Sequence, residues 1–595
     1  MLLLLLLSAI LACITIIHAE ETRSDIATTA EKKPNIVLIL ADDVGTGDIP
    51  LYWNSSLVHM PNIDRLAKMG VTFKDAHSSP ICAPSRYMLL SGNYAHRGAS
   101  PNGSWGLYEN GNQFIDRQRS VAEILRDEGG YHTSMVGKWH LGAKAPPNGL
   151  TRDQNYTRIL SAPDVDWSLP LIQGPQDIGF DRSYFTVGGI QAPPYSFFRD
   201  GYLTTIASDV TYWEKGTYTY TYRGSTTPRS YLLRYERVCF CFVFSQFQLN
   251  RISLSSGAYK MDHGKSKIGK HPGQGDKGWD SSAYNMILVN ETTRFIDEHL
   301  AEKTSEPFFA YVALGAVHVP HSPPDHYLDG SPVKEEYPTR HLDMLLEMDK
   351  VVGSIVSHIE ERNIAEDTII IFTSDNGGLR HSHDTTDHRT SGPFRGQKGT
   401  IYEGGHRVPL IMRYDNVFPE NQTRKHMVML NDIYATICEL VGVAIPYGSA
   451  QDSISFADYI ESAKNKSGRR KKLATWVHEF NFVKEEAIRF GNMKLIHNAF
   501  DSTFQLYDLS SDPSESIDLS KNQTYAKKMQ TMHKKLQETG PCPDDHTGKF
   551  SVKGQPNRKG CNWFRKNKNR CTRHSIEGKN YCASICGHNN QKYCP

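Results

Sequence analysis

The chain has 595 residues, with 67 Lys+Arg against 65 Asp+Glu for a formal charge of +2, and hydrophobic residues make up 39% of it. That apolar content supplies a sizeable core and excludes a wholly disordered or collagen-like chain. The near balance of charge removes any general electrostatic reason to expect a nucleic-acid partner, so a large folded enzyme or binding protein remains.

Residues 1–17 are almost entirely apolar and run into His18 and Ala19, the pattern of a secretory signal peptide spanning 1–19. No Lys or Arg stands at its start, so an uncleaved anchor is the alternative. No later segment has the ~20 apolar residues that cross a bilayer, and no stable membrane span is expected. The mature chain is expected in the secretory pathway, outside the cell or in a lysosomal or vacuolar lumen. Sequons at Asn54, Asn102, Asn155, Asn290, Asn421, Asn465 and Asn522 fit a glycoprotein of that compartment.

After a polar lead, Asn35–Ala41 (NIVLILA) is a continuous apolar run of strand length that closes on the paired carboxylates Asp42 and Asp43. Helical patterns follow over 62–69 and 120–128. Residues 238–254 are apolar, contain Cys239 and Cys241, and differ from their polar surroundings; they form an atypical insertion without an assigned function. A helical pattern over 281–300 leads to the strand candidate Pro307–Leu314, which runs into His318 and His321. Arg340–Glu361 has apolar residues at helical spacing, and Thr368–Thr373 is a second continuous apolar run, ending in Ser374-Asp375-Asn376-Gly377.

Continuous runs of this kind mark strands buried on both faces of a mostly parallel sheet, and their alternation with helices predicts an α/β fold. Polar residues just beyond the carboxyl ends of such strands lie where open α/β sheets place their sites. A main body over 33–470 is expected. From about Leu473 the pattern shortens to strand-like pieces, Ala487–Ile496 and Phe504–Leu509, and a helix over 525–538. This predicts a smaller α+β C-terminal subdomain over 471–540. The basic stretch 467–472 reads as an exposed loop.

The most specific motif is Cys82-Ala83-Pro84-Ser85-Arg86, continued through Leu89 and Ser91-Gly92. It resembles the signature of the type I sulfatases, in which the Cys of C-x-P-x-R is oxidised to formylglycine during secretion. The resemblance implies an alkaline-phosphatase-like fold with a large mixed, mostly parallel sheet. It also implies that Cys82 acts as an aldehyde hydrate, and that a formylglycine-generating enzyme meets this chain during maturation. The modification answers a physical need, because a sulfate monoester carries negative charge that repels nucleophiles. A hydrate offers one hydroxyl to attack sulfur and a second whose deprotonation expels sulfate by C–O cleavage.

Asp42, Asp43, Asp375 and Asn376 are a hard, all-oxygen donor set suited to Ca²⁺ ahead of Mg²⁺, with the converted Cys82 beside it. Either pair alone reads as an acidic turn; both together, each after a buried strand, match the family pattern. Gly137-Lys138-Trp139-His140-Leu141-Gly142 resembles a further sulfatase element, which implies that Lys138 holds sulfate and His140 is the base at release. By the same resemblance His318 contacts sulfate and the leaving-group oxygen, Lys398 protonates or steadies that oxygen, and Arg86 orients the hydrate. Preorganised cations aimed at a transferring group supply most of the stabilisation in such displacements.

Further landmarks, including Gly404–Pro409, Asn431–Thr436 and Leu506–Leu509, extend the likeness over roughly 33–538, and their order resembles the N-acetylgalactosamine-4-sulfatase and arylsulfatase group. His381–His388 follows the Asp375-Asn376 motif and either lines the substrate entrance or is a solvated loop. Cys542, Cys561, Cys571, Cys582, Cys586 and Cys594 crowd the tail 541–595, which reads either as a small disulfide domain that holds an anionic polysaccharide or as a simple stapled terminus. The expectation is a secreted, calcium-dependent sulfuric ester hydrolase acting on aryl sulfates and sulfated carbohydrates. The alternatives are a phosphate or phosphonate ester hydrolase of the same superfamily and an inactive glycan-binding homologue.

Overall fold

The computed structural model describes residues 32–99, 111–115, 118–146, 165–205, 210–213, 220–222, 259–261, 273–303, 305–379, 386–462, 473–480, 483–499 and 501–539. The expected signal peptide, the 238–254 insertion, the basic stretch 467–472 and the cysteine tail lie outside the described residues. Within them no helix is long and apolar enough to cross a membrane.

A ten-stranded mixed sheet forms the body. Its strands are β1 (Asn35–Ala41), β2 (Val71–His77), β3 (His132–Lys138), β4 (Arg182–Thr186), β5 (Phe198–Arg199), β6 (Tyr202–Leu203), β7 (Phe308–Ala313), β8 (Thr368–Ser374), β9 (Arg407–Arg413) and β10 (Gln422–Met429). Across the sheet they run β10-β2-β9-β8-β1-β7-β3-β4-β5-β6. The central block β8-β1-β7-β3-β4 is parallel throughout, and β9 runs antiparallel to both its neighbours.

The apolar runs are continuous because the central strands are covered on both faces. In β1, Ile36, Leu38 and Leu40 enter one buried cluster while Val37, Ile39 and Ala41 enter another. The first face packs helices α2 (Cys82–Ser91), α3 (Val121–Gly129) and α6 (Asp432–Leu440). The second packs α1 (Pro61–Lys68), α4 (Tyr284–Glu302) and α5 (Arg340–Glu361). Ser120 caps α3 by accepting from the Glu123 N–H, which explains why the periodic pattern starts there.

A four-stranded antiparallel sheet follows: β11 (Leu473–Phe480), β12 (Val483–Phe490), β13 (Met493–Asn498) and β14 (Thr503–Asp508), with α7 (Ala526–Thr539). The stretch Ala487–Ile496, expected to be one strand, is two. Phe490 pairs with Met493 across a two-residue turn in which Gly491 takes φ +64°, so the apolar residues on either side belong to different strands.

Candidate functional site

The pairing of Ala41 with Ser374 in adjacent parallel strands sets Asp42-Asp43 beside Asp375-Asn376. The turn after β1 is tight. Asp43 takes φ +65°, a left-handed conformation that costs a non-glycine residue about 1–3 kcal/mol, and its N–H donates to Asp375 Oδ1 at 3.2 Å. His140, after β3, is also left-handed at φ +53°. Strain of this kind collects where surrounding contacts dictate side-chain direction.

Cys82 is the first residue of α2, and Arg86 lies one turn on, so the C-x-P-x-R spacing puts thiol and guanidinium on one helix face. Pro84 fits in the first turn, where its missing N–H would have had no helical partner. Cys82 Sγ stands 4.0 Å from Asp43 Oδ1. Arg86 donates to Asp375 Oδ2 from Nη2 at 2.7 Å and from Nε at 3.1 Å, and to the Lys138 carbonyl at 2.9 Å.

Lys138, the last residue of β3, donates from Nζ to Asp42 Oδ2 at 2.6 Å. Lys398 donates to Asp43 Oδ1, which also accepts from Asn376 Nδ2 at 2.9 Å. His318 Nδ1 meets the Val319 carbonyl at 2.6 Å, which places the hydrogen on Nδ1 and leaves Nε2 as the lone-pair nitrogen, 3.7 Å from Asp43 Oδ2. His140 anchors by its backbone N–H to the Val187 carbonyl at 2.9 Å, and its buried Nδ1 has no hydrogen-bond partner among the described residues.

The loop that bears Lys398 is clamped from two sides. Lys398 N–H donates to the Gly378 carbonyl and Gly399 N–H to that of Pro80. Glu403 N–H donates to Glu515 Oε2 at 2.6 Å, and buried Lys494 on β13 bridges Glu403 and Glu515 at 3.1 and 2.9 Å. The C-terminal sheet is thus tied to the loop carrying one of the pocket's cations.

The residues singled out from the sequence meet in one cluster, buried except for half-buried His140 and Lys398. The carboxylates Asp42, Asp43 and Asp375 face the cations Arg86, Lys138 and Lys398, so the pocket neutralises itself. Burial pushes the Cys82 thiol up to about 12; Lys138 and Lys398 pull against that shift, and Asp375 and Asp42 add to it. As a thiol it stays protonated at neutral pH and is a poor nucleophile. Burial raises the Asp375 carboxyl and Asp42 adds to the rise, while Arg86 opposes it. His140 and His318 are both held well below the ordinary histidine value by burial and by the neighbouring lysines. Burial opposes the charge on Lys398, but Asp43, Cys82, Asp42 and Asp375 together outweigh it and keep the ammonium above its usual range.

Asp42 Oδ1, Asp43 Oδ2 and Asn376 Oδ1 are buried with no hydrogen-bond partner among the described residues. Each unpaired buried oxygen costs about 1–3 kcal/mol, so a hard cation fits this donor set. Ligating atoms of Asp42, Asp43, Cys82 and His318 all lie within 4.8 Å of one another. Asp375 stands beside them, turned toward Arg86.

One buried cluster has no counterpart in the sequence reading. Asp48 Oδ1 meets His341 Nε2 at 3.0 Å and His388 Nε2 at 2.8 Å, while its Oδ2 accepts from the Gly45 N–H at 2.8 Å. His388 therefore braces the loop after β1 and does not line an entrance; 381–385 lie outside the described residues. No local pattern marks a histidine whose partner is 340 residues away.

The Sulfatase family model matches residues 34–187 and 195–443, and a model described as N-sulphoglucosamine sulphohydrolase, C-terminal, matches 395–540. An N-acetylgalactosamine-6-O-sulfatase of Bacteroides thetaiotaomicron is 28% identical over 510 residues, covering 82% of this chain and 90% of its own. A solved structure described with the metabolism of multiple glycosaminoglycans by Bacteroides thetaiotaomicron has a TM-score of 0.64 at 24% identity, covering 85% of this chain and 99% of its own. The phosphonate monoester hydrolase of Agrobacterium radiobacter has a TM-score of 0.52 at 20% identity, covering 85% and 95%. At these identities the two structures share the fold with this chain.

Proposed function

This chain belongs to the sulfatase family and is a sulfuric ester hydrolase; from that premise we propose that it cleaves sulfate monoesters of carbohydrates, and aryl sulfates, through a formylglycine at position 82. The observation that carries the reading is the buried pocket in which Cys82, at a helix N-terminus, is ringed by Asp43, Arg86, Lys138, His318 and Lys398. The relative active on N-acetylgalactosamine-6-O-sulfate by name supports a carbohydrate leaving group.

Asp42, Asp43, Asp375 and Asn376 would hold calcium, with magnesium second, and the ion would supply Lewis-acid polarisation at the reacting oxygens. The side chains of this chain do the rest. Lys138 and His318 bind the sulfuryl oxygens, and Lys398 with His318 manages the charge and proton of the departing sugar oxygen. His140, with an unpartnered ring nitrogen and a depressed pKa, is a free base able to take the proton when sulfate is released. Arg86 holds the reacting carbon's substituents in line and offsets their charge.

Conversion at Cys82 requires a formylglycine-generating enzyme and hence passage through the secretory pathway. Asn54, Asn290, Asn421 and Asn522 are all exposed, which supports glycosylation there. The reading is tested by rates on a sulfate monoester and a phosphate monoester of the same phenol, measured on one preparation. The sulfate ester is expected to turn over faster; a faster phosphate ester makes the chain a phosphoesterase, and no turnover of either, or of a sulfated monosaccharide, makes it a binding protein.

A further inference from the structure

The turn that follows β7 carries His318 and is built on backbone shared with a proposed metal ligand. Asp42 N–H donates to the Ala316 carbonyl at 2.9 Å, and Val317 N–H donates to the Asp42 carbonyl at 2.6 Å. Anything that fixes this turn fixes His318 and the Asp42 backbone together.

One side chain does so from below. Asn285, in the first turn of α4 and 1% exposed, accepts through Oδ1 from both the Gly315 N–H, at 3.0 Å, and the Ala316 N–H, at 3.2 Å. Its Nδ2 donates to Glu347 Oε1 on α5 at 3.1 Å, which fixes which end of the amide faces the turn. Glu347 is 1% exposed, and burial raises its carboxyl to about 8, so at neutral pH and below it is a neutral acid that buries no charge. Tyr284, the preceding residue, lies under Gly315: a Cβ there would come within 2.8 Å of its ring. The turn is therefore held by paired acceptor bonds and by a close ring contact, two and three residues before His318.

We propose that Asn285, backed by Glu347, is a positioning residue that acts through His318, setting its imidazole against the leaving-group oxygen. The proposal rests on the role given above to His318. The single acceptor oxygen of Asn285 takes the N–H groups of Gly315 and Ala316, which lie between the backbone-paired Leu314 and Val317. Misplacement of a catalytic group by about 1 Å costs about 100-fold in rate, so loss of these bonds acts on the rate more than on the fold.

A double-mutant cycle tests this. Turnover of an aryl sulfate is measured for the full chain, Asn285→Ala, His318→Ala and the double variant, with folding followed by circular dichroism. Asn285→Ala is expected to lower kcat about 10- to 100-fold where His318 is present and by a clearly smaller factor where it is already alanine, the remainder reporting the Asp42 backbone. Equal loss in both backgrounds overturns the positioning role and leaves that of His318 standing. A His318→Ala enzyme of full activity removes the role of His318 itself, and the proposal with it. Asn285→Gln, which carries the same groups one methylene out of register, gives the same comparison if the alanine variant does not fold. Asn285→Asp keeps the acceptor oxygen and is expected to retain more activity than Asn285→Ala; an equal loss counts against the proposal.

Discussion

Replacing Cys82 by alanine is expected to lower turnover of an aryl sulfate by at least about 10⁴-fold while leaving the unfolding transition nearly unchanged. Cys82 is buried in the first turn of α2 and its Sγ stands 4.0 Å from Asp43 Oδ1, so alanine removes one sulfur and, among the described residues, no hydrogen bond of ordinary length. Helix propensity favours the substitution. The fold therefore tolerates it, and any loss reports chemistry. Serine at this position keeps an oxygen but cannot form a hydrate, and is expected to be nearly as inactive. A Cys82→Ala protein with full activity would remove residue 82 from the mechanism.

The second large effect is at Asp375. Its Oδ2 takes both Arg86 bonds, so Asp375→Ala leaves that buried guanidinium with Asp42 at 3.6 Å as its remaining carboxylate. Removing one partner of a buried pair costs about 3–5 kcal/mol, because the other charge is left uncompensated. The same substitution deletes a proposed calcium ligand, so bound metal and activity should fall together, the latter by at least about 100-fold. Asp375→Asn preserves the shape and a neutral acceptor. It should recover part of the stability and bind calcium more weakly than the parent, because a neutral oxygen replaces a charged one. Elemental analysis, an unfolding midpoint and a rate, taken on both variants, separate the two effects; unchanged metal content with unchanged rate would refute the assignment.

The central strands β1, β7 and β8 could be read directly because both their faces are covered, and a doubly buried strand writes a continuous apolar run. The strands that carry polar residues inward could not. In β2, Asp75 and His77 are buried, but Asp75 is paired with Arg489 at 2.8 Å and Arg407 at 2.9 Å, and His77 with His406 at 3.0 Å. In β3, Thr133 is satisfied by the Gly179 carbonyl and Asp181. Their partners lie far along the chain, so local polarity there describes long-range pairing and not exposure. The same limit applies to the site. Its residues were legible through motif resemblance, yet neither the place of Asp43 as the shared partner of Lys398, Asn376 and His318 nor the support from Asn285 is written in any spacing.

The claim on which the mechanism turns is that residue 82 is no longer a cysteine in the working enzyme. Tryptic mass spectrometry of the peptide bearing it, on material of measured specific activity, tests this directly. Loss of the sulfur with appearance of an aldehyde reactive toward hydrazine reagents is the predicted result. An intact sulfhydryl at position 82 in protein that hydrolyses sulfate esters at full rate would contradict it.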